Sequence, residues 1–273
     1  TLADHVWFDE LGRVKHRAFV DGDPMFTQAG LLDADNSIAD ALAHYPTLFT
    51  YATRMNAADC TVPPAGRNWL RTGPVVETAA WSQIPPIPNG PVTALMNWTS
   101  GSPVRVGDCW YGHKDMEFDA FVDLPTRSHD RFVLAVGGSA PRNRLVDCGW
   151  ELVNPLKVTG TITDYREFIA SSALDFGVAK HAYVASRSGW FSDRATCFLA
   201  AGRPVLHQDT GCGDWLPTGE GVILFSDLES AKAGLQEIRA NYARHARAAR
   251  AMAEEHFEAA KIVGKMLDDA GFR

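Results

Sequence analysis

The stretch YVASRSGWFSDRATCFLAAGRPVLHQDTGCG, residues 183–213, contains the clearest structural signals in the chain. A loop punctuated by Gly189 leads into a helix with an apolar face, and Gly202 ends that helix. A buried strand over 204–207 and the glycine-rich turn 211–213 follow. A loop that leads into a helix N-terminus offers unpaired N–H groups and the positive end of the helix dipole to an anion. Two such loops around one helix–strand unit favour a nucleotide-diphosphate ligand at the carboxyl end of a parallel sheet.

Apolar runs and helical periodicities alternate along the C-terminal two thirds of the chain. The sequence predicts strands over 92–96, 131–136, 145–153, 183–184, 204–207 and 222–225. It also predicts helices over 115–124, 164–173 and 228–238, the last capped by Asp227, and a long amphipathic helix to about residue 267. Strands that alternate with helices form parallel sheets with right-handed crossovers. A complete Rossmann-like domain is therefore expected from Val92 onward.

The first ninety residues contain weaker signals. They predict short strands over 17–20 and 48–51, a helix over 37–44 capped by Asn36 or Ser37, and a loop rich in turn formers over 61–74. The proline-rich segment 84–91 lacks the N–H donors that a helix or a central strand needs, so it is the best candidate for a linker. These signals divide the chain into domains 1–90 and 91–273.

Composition restricts the class of protein. The chain has 273 residues, 46% hydrophobic and 22% charged, which is typical of a soluble globular protein with an ample core. A net charge of −7 argues against a nucleic-acid partner bound through phosphate neutralisation. Five cysteines, with no C-x-x-C spacing, predict neither a disulfide framework nor a structural zinc site. The sequence has no membrane-span or signal-peptide pattern, so a cytoplasmic location is expected; oligomeric state is not indicated.

Two short motifs suggest a family. The segment AAGRPV, residues 200–205, and the turn PTGEG, residues 217–221, resemble the donor-sugar half of two-domain glycosyltransferases with the GT-B fold. The resemblance is clearest over 165–238 and fainter from Val92 onward. Each motif alone has little specificity, and the ordered series of turns is what supports the resemblance.

The resemblance implies an α/β fold of two Rossmann-like domains. Residues 91–273 would form the donor domain, which binds a nucleotide sugar, and residues 1–90 would form an acceptor-side domain. A domain of this kind needs roughly 150 residues, so the opening strands of the acceptor domain are expected upstream of Thr1. The C-terminal helix is expected to cross back towards that domain.

Three cations are candidates for binding the diphosphate. Lys180 and Arg187 flank the start of the loop that precedes Gly189, and Lys114 follows the first strand of the donor domain. Arginine offers a bidentate fork to phosphate, and lysine a point charge. The alternative for each is a surface cation without a ligand. The resemblance favours the diphosphate role, since GT-B enzymes commonly stabilise the leaving diphosphate with cations and backbone N–H groups instead of a metal.

Further donor-site candidates lie in loops at strand ends and at helix starts. Glycine-rich turns bring backbone N–H groups close to phosphate, although each turn is equally a structural element. Glu229 is the candidate for the ribose hydroxyls, with a helix N-terminal acid as its alternative. The other candidates are Gly137, Gly138, Gly189, Ser192, Asp193, Gly211, Cys212 and Gly213.

The acidic residues depart from the family pattern. Many retaining GT-B enzymes have an acidic pair at the places that Gly189 and Cys197 occupy here. Asp193 is one substitute, and another mode of sugar binding is the alternative, so stereochemistry stays open. An inverting reaction needs a general base from the acceptor side, for which Asp21, Asp23 and His44 are the candidates. The turn containing Asp23 has a purely structural alternative.

These features predict a glycosyltransferase that moves a sugar from a nucleotide-diphosphate sugar to an unknown acceptor. The nucleotide sugar is a co-substrate, so no cofactor is expected. No metal site is expected either, because no D-x-D pair follows a strand of the donor domain. Two alternatives stay open: a nucleotide-sugar 2-epimerase of the same fold, and a non-catalytic binding module.

Overall fold

The computed structural model describes residues 7–33, 38–81 and 84–272, which form two parallel sheets and one antiparallel hairpin. Its strands are β1 Ala18–Asp21, β2 Thr47–Thr50, β3 Trp69–Arg71, β4 Val92–Asn97, β5 Val104–Val106, β6 Cys109–Tyr111, β7 Phe132–Gly137, β8 Trp150–Val153, β9 Leu174–Gly177, β10 Val205–Gln208 and β11 Val222–Phe225. Its α-helices are α1 Phe26–Leu32, α2 Ile38–Ala43, α3 Asp115–Phe118, α4 Leu124–Ser128, α5 Arg142–Asp147, α6 Pro155–Thr159, α7 Ile162–Ala170, α8 His181–Ala185, α9 Asp193–Ala200, α10 Leu228–Ala240, α11 Tyr242–Met252 and α12 Ala259–Asp269.

The larger sheet has the strand order β11-β10-β9-β4-β7-β8, and all its pairs are parallel. After β4, the chain adds β7 and then β8 on one side of the sheet. It then adds β9, β10 and β11 on the other side. This is the doubly wound order of nucleotide-binding domains, and its topological switch point lies between β4 and β9. In sheets of this kind the ligand binds outside the carboxyl ends of the strands at that point.

Helices cover both faces of this sheet, and its strands are correspondingly apolar. Five successive residues of β7, from Phe132 to Val136, are buried. On one face, aromatic rings of Phe118, Trp150 and Phe176 pack within 6.1 Å of a neighbouring ring. On the other face, α9 packs Ala195, Phe198 and Leu199 into the core. Continuous apolar runs of this kind are what a parallel sheet requires.

The N-terminal sheet has the order β1-β2-β3 and is also parallel. Its core includes side chains from the C-terminal part of the chain, namely Tyr111, Tyr183 and Trp190. The Trp190 indole donates a hydrogen bond to the Gly22 carbonyl oxygen (3.1 Å). The two sheets therefore share a packed junction, which is formed at the carboxyl end of β1.

The predicted unit over 189–225 is confirmed. Helix α9 is followed by Gly202 with φ = +67°, a left-handed conformation that favours glycine at a helix end. Strands β10 and β11 follow as predicted. Asp227 caps α10, and its carboxylate accepts a hydrogen bond from the Ser230 N–H (2.7 Å).

The predicted strand over 183–184 is wrong. Those residues lie in α8, and the strand that fills this place in the sheet is β9. Strand β9 has a charged residue, Asp175, at a fully buried position, where Arg194 neutralises it. A charge inside a four-residue strand conceals the apolar run that a sequence pattern depends on.

Three other boundaries differ from the prediction. The segment 145–153 is not one strand, because its first residues belong to α5 and only β8 is extended. The predicted loop 61–74 contains the edge strand β3. The predicted long C-terminal helix is interrupted by a π-helical turn, Ala253–Phe257, and by Glu258, whose ψ of 122° is not helical.

The C-terminal segment crosses back to the N-terminal part, as the resemblance implied. Val76 forms a parallel bridge with Glu258, and its N–H donates to the Phe257 carbonyl oxygen (2.8 Å). The Phe272 ring lies 5.2 Å from the ring of His16. These contacts place α12 beside the N-terminal half.

Some predictions concern features that the structure does not test. The proposed helix caps Asn36 and Ser37 lie outside the described residues. Residues 84–91 contain no helix or strand, and the division of the chain at this segment stays a prediction. Within the described ranges, no helix combines the length and the apolar composition that crossing a bilayer requires.

Candidate functional site

The candidate site lies at the carboxyl edge of the six-stranded sheet, at its switch point. The chain leaves β4 and, after the β5–β6 hairpin, reaches Lys114 at the start of α3. It leaves β9 and reaches Lys180 at the start of α8. Helix α9 also begins at this edge, because it runs antiparallel to the strand β10 that follows it. The sequence candidates Lys114 and Lys180 are thus brought to the two sides of the switch point.

Lys114 has an unusual electrostatic environment. It is partly buried, and its ammonium group makes no hydrogen bond or ion pair with any residue in the described ranges. Burial lowers the pKa of Lys114 well below its ordinary value, and the charges of Arg194 and Lys180 lower it further, while Asp175 partly offsets them. A lysine in such surroundings is stabilised by an anion that approaches it.

Arg194 provides a second, permanently charged group at this edge. Its Nε and Nη2 bind the two oxygens of Asp175 (2.9 and 3.0 Å), and its Nη1 donates to the Leu95 carbonyl oxygen (2.8 Å). Asp175 is fully buried. Arg194 is not among the residues predicted from the sequence. An arginine in the first turn of a predicted helix, together with an acidic residue inside a strand, was the signal available there.

The pKa of His207 is affected by the same positive charges. It is buried in β10, and its Nδ1 faces the Gln208 carbonyl oxygen (2.7 Å). Burial lowers the pKa of His207 to about 3, with repulsion from Arg194 and Lys114 adding to the effect. His207 is therefore neutral at physiological pH, and the positive charge at this edge belongs to the lysines and the arginine.

Lys180 connects the two halves of the molecule. Its ammonium donates to both carboxylate oxygens of Asp23 (2.9 and 2.7 Å) and lies 4.8 Å above the Phe26 ring. The Tyr183 hydroxyl donates to the same carboxylate. Burial and the Asp23 charge raise the pKa of Tyr183 well above its ordinary value, so the hydroxyl keeps its proton. Asp23 thus has both oxygens occupied, and Lys180 is already neutralised.

Arg187 and two of the predicted glycines belong to a second cluster, centred on Arg54. The Arg54 guanidinium is 8% exposed and binds Asp59, Asp214 and the Arg187 carbonyl oxygen. The Arg187 side chain binds Asp59 (2.8 Å) at the surface. These contacts link the loop after β2 to the loops after α8 and β10.

Gly189 and Gly211 pack directly against this cluster. Both have positive φ, +79° and +85°. A Cβ atom on Gly189 would collide with the Thr53 hydroxyl, and one on Gly211 would lie 2.7 Å from Arg54 Cδ. Glycine is required here by the junction between the two halves. The proposed role of these turns in binding phosphate stays a prediction.

Ser192 and Asp193 occupy the start of α9. Ser192 is the N-cap, since its hydroxyl accepts a hydrogen bond from the Ala195 N–H (3.4 Å). Asp193 lies near Tyr51, which directly follows β2, and the residue is exposed. Asp193 is therefore a surface carboxylate between the two sheets, in a position open to a ligand hydroxyl.

The remaining donor-site candidates also lie near the carboxyl edge. Gly137 and Gly138 end β7 beside Asn97, and Gly138 has φ = +76°. Glu229 is exposed in the first turn of α10, directly after β11. Cys212 and Gly213 lie in a short 3₁₀ turn, where burial raises the pKa of Cys212 to about 11. The Cys212 thiol is therefore protonated and inert.

The structure separates His44 from Asp23 among the predicted catalytic bases. Asp23 follows β1 at its carboxyl end, whereas His44 precedes β2 at the opposite edge of the parallel sheet. The His44 ring stacks on Trp7 at 4.0 Å. His44 therefore lies away from the junction of the two sheets, and its role as a general base stays a prediction. Across the described ranges, no group of three or more His, Cys, Asp or Glu side chains is placed to bind a metal ion.

No protein-family model and no curated protein sequence matches the chain. Solved structures do match it in fold. An α-glucosyltransferase in complex with UDP-glucose and DNA containing an abasic site shares 10% sequence identity at a TM-score of 0.61, over 96% of this chain and 75% of that one. HepE from Anabaena, in complex with UDP-glucose, shares 10% identity at a TM-score of 0.62, over 94% and 72%.

A third similar structure is the sucrose-phosphate synthase from Thermosynechococcus elongatus, with 13% identity and a TM-score of 0.55 over 91% of this chain and 65% of that one. Identities this low establish the architecture only. The doubly wound sheet, the second parallel sheet and the returning C-terminal helix are all consistent with these matches. The chain therefore has the two-domain α/β GT-B fold found in glycosyltransferases.

Proposed function

We propose that this chain is a glycosyltransferase that uses a nucleoside-diphosphate sugar as its donor. The observation that carries the proposal is the unpaired, partly buried Lys114 at the switch point of the doubly wound sheet. An ammonium group without a counter-ion, close to Arg194 and Lys180, is costly in the free protein. A diphosphate at this edge supplies the missing negative charge.

The residues at the edge have distinct roles in the proposed reaction. Lys114 and Arg194, with the N-terminus of α9, stabilise the negative charge that develops on the leaving diphosphate. Asp193 contacts a sugar hydroxyl from its exposed position between the sheets. Glu229, in the first turn of α10, accepts hydrogen bonds from the ribose hydroxyls. The cations replace the charge compensation that a metal provides in other transferases, so no metal is needed for donor binding.

Asp23 remains the candidate for a general base if the reaction inverts. Its carboxylate accepts hydrogen bonds from both Lys180 and Tyr183. To act as a base it must exchange one of these partners for the acceptor hydroxyl. That exchange couples acceptor binding to the contact between the two halves of the molecule.

The donor is identified by calorimetric titration of the protein with UDP, dTDP and GDP and with their glucose derivatives. UDP-glucose is the first probe because the similar α-glucosyltransferase and HepE structures contain it. We expect saturable binding of one nucleotide, with the same Kd in EDTA and in excess Mg²⁺. Binding that requires Mg²⁺ contradicts metal independence, and no binding of any nucleotide contradicts the proposal.

Product analysis then tests the chemistry. Incubating the protein with the identified donor, with and without a mixture of candidate acceptors, distinguishes three outcomes. Acceptor-dependent release of the nucleoside diphosphate supports transfer. A change in the donor sugar without any acceptor indicates a 2-epimerase. Binding without any turnover, over all acceptors offered, indicates a non-catalytic module.

A further inference from the structure

A cavity of about 630 Å³ opens at the amino edge of the six-stranded sheet, opposite the candidate donor site. Its lining comes from residues 84–88, which lead towards β4, from residues 201–203, which lead into β10, and from the end of α10 and α11. Because the strands of this sheet are parallel, the residues before them lie together at the edge away from Lys114. The volume falls within the range of small-molecule sites in proteins.

Four arginines line this cavity, and within the described part of the chain its lining contains no acidic residue. Two of the four, Arg239 and Arg250, are neutralised by carboxylates outside the lining, at 2.8 and 2.6 Å. The other two, Arg203 and Arg247, form no ion pair with any described residue. The cavity therefore has an excess of positive charge, in a chain whose net charge is −7.

Arg203 is a buried cation without a counter-ion. It is 1% exposed, and its Nη2 donates to the carbonyl oxygens of Pro85 (2.7 Å) and Ala170 (2.9 Å). Its Nε has no hydrogen-bond partner in the described ranges. Burial lowers the pKa of Arg203, and the effect that opposes this comes from the hydroxyl of Tyr242, which is a neutral group. A guanidinium stays charged in proteins, so an anion in the adjacent cavity would offset the free-energy cost of burying it.

A structural role of the arginines explains only part of this arrangement. Arg203 and Arg239 donate to three carbonyl oxygens of the proline-rich segment 84–91, and these contacts fix that segment. They account neither for the uncompensated charge of Arg203 nor for Arg247, which is exposed at the rim and unpaired within the described residues. These two charges are the ones that a ligand can neutralise.

The rest of the lining is mainly apolar. Pro86 and Pro88 contribute ring carbons, and Ala243 and Ala246 contribute methyl groups from one side of α11. The Tyr242 hydroxyl is already satisfied, because it donates to the Ala173 carbonyl oxygen (2.8 Å). A small inorganic ion would leave the apolar carbons in contact with water, and a neutral apolar ligand would leave the arginine charges uncompensated. An anion with an apolar body matches both parts of the lining.

We propose that this cavity binds an amphipathic anion, a small molecule with one carboxylate or phosphate head group and an apolar body. The head group pairs with Arg203 and Arg247, and the body packs against the prolines of segment 84–91 and the alanines of α11. Carboxylates and phosphates both form charge-assisted hydrogen bonds with guanidinium groups, and the experiment distinguishes the two head groups. The proposal is independent of the proposed glycosyltransferase activity, because the cavity lies at the other edge of the sheet.

The test measures the fluorescence of 8-anilinonaphthalene-1-sulfonate, an aromatic anion, bound to the full chain, and its displacement by competitors. Octanoate and octyl phosphate differ in head group, octanol lacks the charge, and inorganic phosphate lacks the apolar body. We expect octanoate or octyl phosphate to displace the probe at concentrations at least about tenfold below that of octanol. Inorganic phosphate and saturating UDP should leave the probe bound.

Four outcomes of this titration overturn the proposal. They are no displacement by either octyl anion, equal potency of octanol, equal potency of inorganic phosphate, and displacement of the probe by UDP. The last of these would show that the probe occupies the donor site. UDP binding measured in the same samples tests the proposed function separately, so either proposal can fail while the other stands.

Variants on α11 test whether the anion binds in this cavity. Ala243→Trp fills the cavity from an exposed position and should raise the Kd of the effective octyl anion about tenfold or more. Arg247→Met removes an exposed charge and should raise this Kd about two- to fivefold. The matched control is Arg244→Met in the same helix, because Arg244 pairs with Glu237 and does not line the cavity. Unchanged binding by Ala243→Trp contradicts the proposal, and so do equal Kd values for Arg247→Met and Arg244→Met.

Discussion

Replacing Lys114 with methionine tests the donor site directly. The change removes the charge, keeps most of the apolar volume, and leaves Arg194 and Lys180 in place. An ammonium and a phosphate about 4 Å apart attract each other by roughly 4 kcal/mol at the effective dielectric of a partly buried site. The remaining cations compensate for part of this loss, so we expect a net cost of about 2–3 kcal/mol. That corresponds to a UDP Kd about 30- to 160-fold higher than that of the wild type.

The same substitution is expected to increase the stability of the protein, although it weakens UDP binding. The pKa of Lys114 is lower in the folded protein than in the unfolded chain, where it is about 10.4. The unfolded chain therefore binds more protons between these two values, and wild-type stability rises with pH across that window. Lys114→Met removes this penalty. Its urea midpoint should exceed that of the wild type at neutral pH, and the difference should shrink as the pH approaches the ordinary lysine value.

The nucleotide affinity has a matching pH dependence. A bound diphosphate raises the pKa of Lys114 again, so binding takes up protons and weakens as the pH rises above the pKa of the free protein. Calorimetry of UDP binding between about pH 6.5 and 9.5, in two buffers of different ionisation enthalpy, measures this uptake. Lys114→Met should lose the proton uptake linked to this residue.

Two outcomes refute the reasoning about Lys114. One is UDP binding by Lys114→Met that is equal to that of the wild type. The other is a joint loss of binding and of stability, which would show that Lys114 has a structural role. The control is Lys265→Met, which removes the same charge from an exposed position in α12, where Lys265 pairs with Asp269. It should leave the UDP Kd unchanged.

Three further predictions follow from the contacts around this edge. Arg194→Met leaves the buried Asp175 unpaired and should lower the free energy of unfolding by about 3–5 kcal/mol in urea titrations; a loss below 1 kcal/mol would show that Asp175 is not a buried charge. Gly189→Ala forces a left-handed residue against Thr53 and should cost about 1–3 kcal/mol, whereas Gly264→Ala in α12, with no atom within 4 Å of the new methyl group, should be neutral or stabilising. Arg187→Ala should change the UDP Kd less than about twofold, because this side chain is 44% exposed and pairs with Asp59; a larger loss measured by calorimetry would restore the sequence prediction that it binds the diphosphate.

The elements that the sequence predicted well are those with local signals. Gly202 ends α9 because it adopts a left-handed conformation, and Asp227 caps α10 through its own carboxylate. Strands β4, β7 and β11 are short apolar runs bounded by turn residues. Each of these signals lies within a few residues of the element it defines, so no knowledge of tertiary contacts was needed.

The elements that the sequence did not predict depend on distant partners. Strand β9 contains Asp175, which is acceptable in a strand only because Arg194, nineteen positions later, neutralises it. Helix α8 contains the β-prone pair Tyr183 and Val184, and Tyr183 packs into the core of the N-terminal sheet. Local propensity cannot register either of these interactions.

In the candidate site too, some features were predictable from the sequence and others were not. Residue type and position after a strand were enough to select Lys114 and Lys180. They did not reveal that Lys180 is paired with Asp23 and Lys114 is not. That difference depends on how the N-terminal sheet packs against the carboxyl edge of the six-stranded sheet. It is the reason why Lys114 is the residue proposed to bind an anion.

Under the proposed function, the pairing of charges would couple the donor site to the binding of the acceptor. Arg194 is held by Asp175 within the six-stranded sheet, so its position does not depend on the N-terminal half. Lys180 is held by Asp23, which belongs to that other half. In the proposed reaction, an acceptor hydroxyl that replaces one hydrogen bond on Asp23 would weaken the contact between Asp23 and Lys180, and the charge of Lys180 would become available to the diphosphate beside Lys114. Charge stabilisation of the leaving group would thus increase when the acceptor is in place, which favours transfer to the acceptor over loss of the sugar to water.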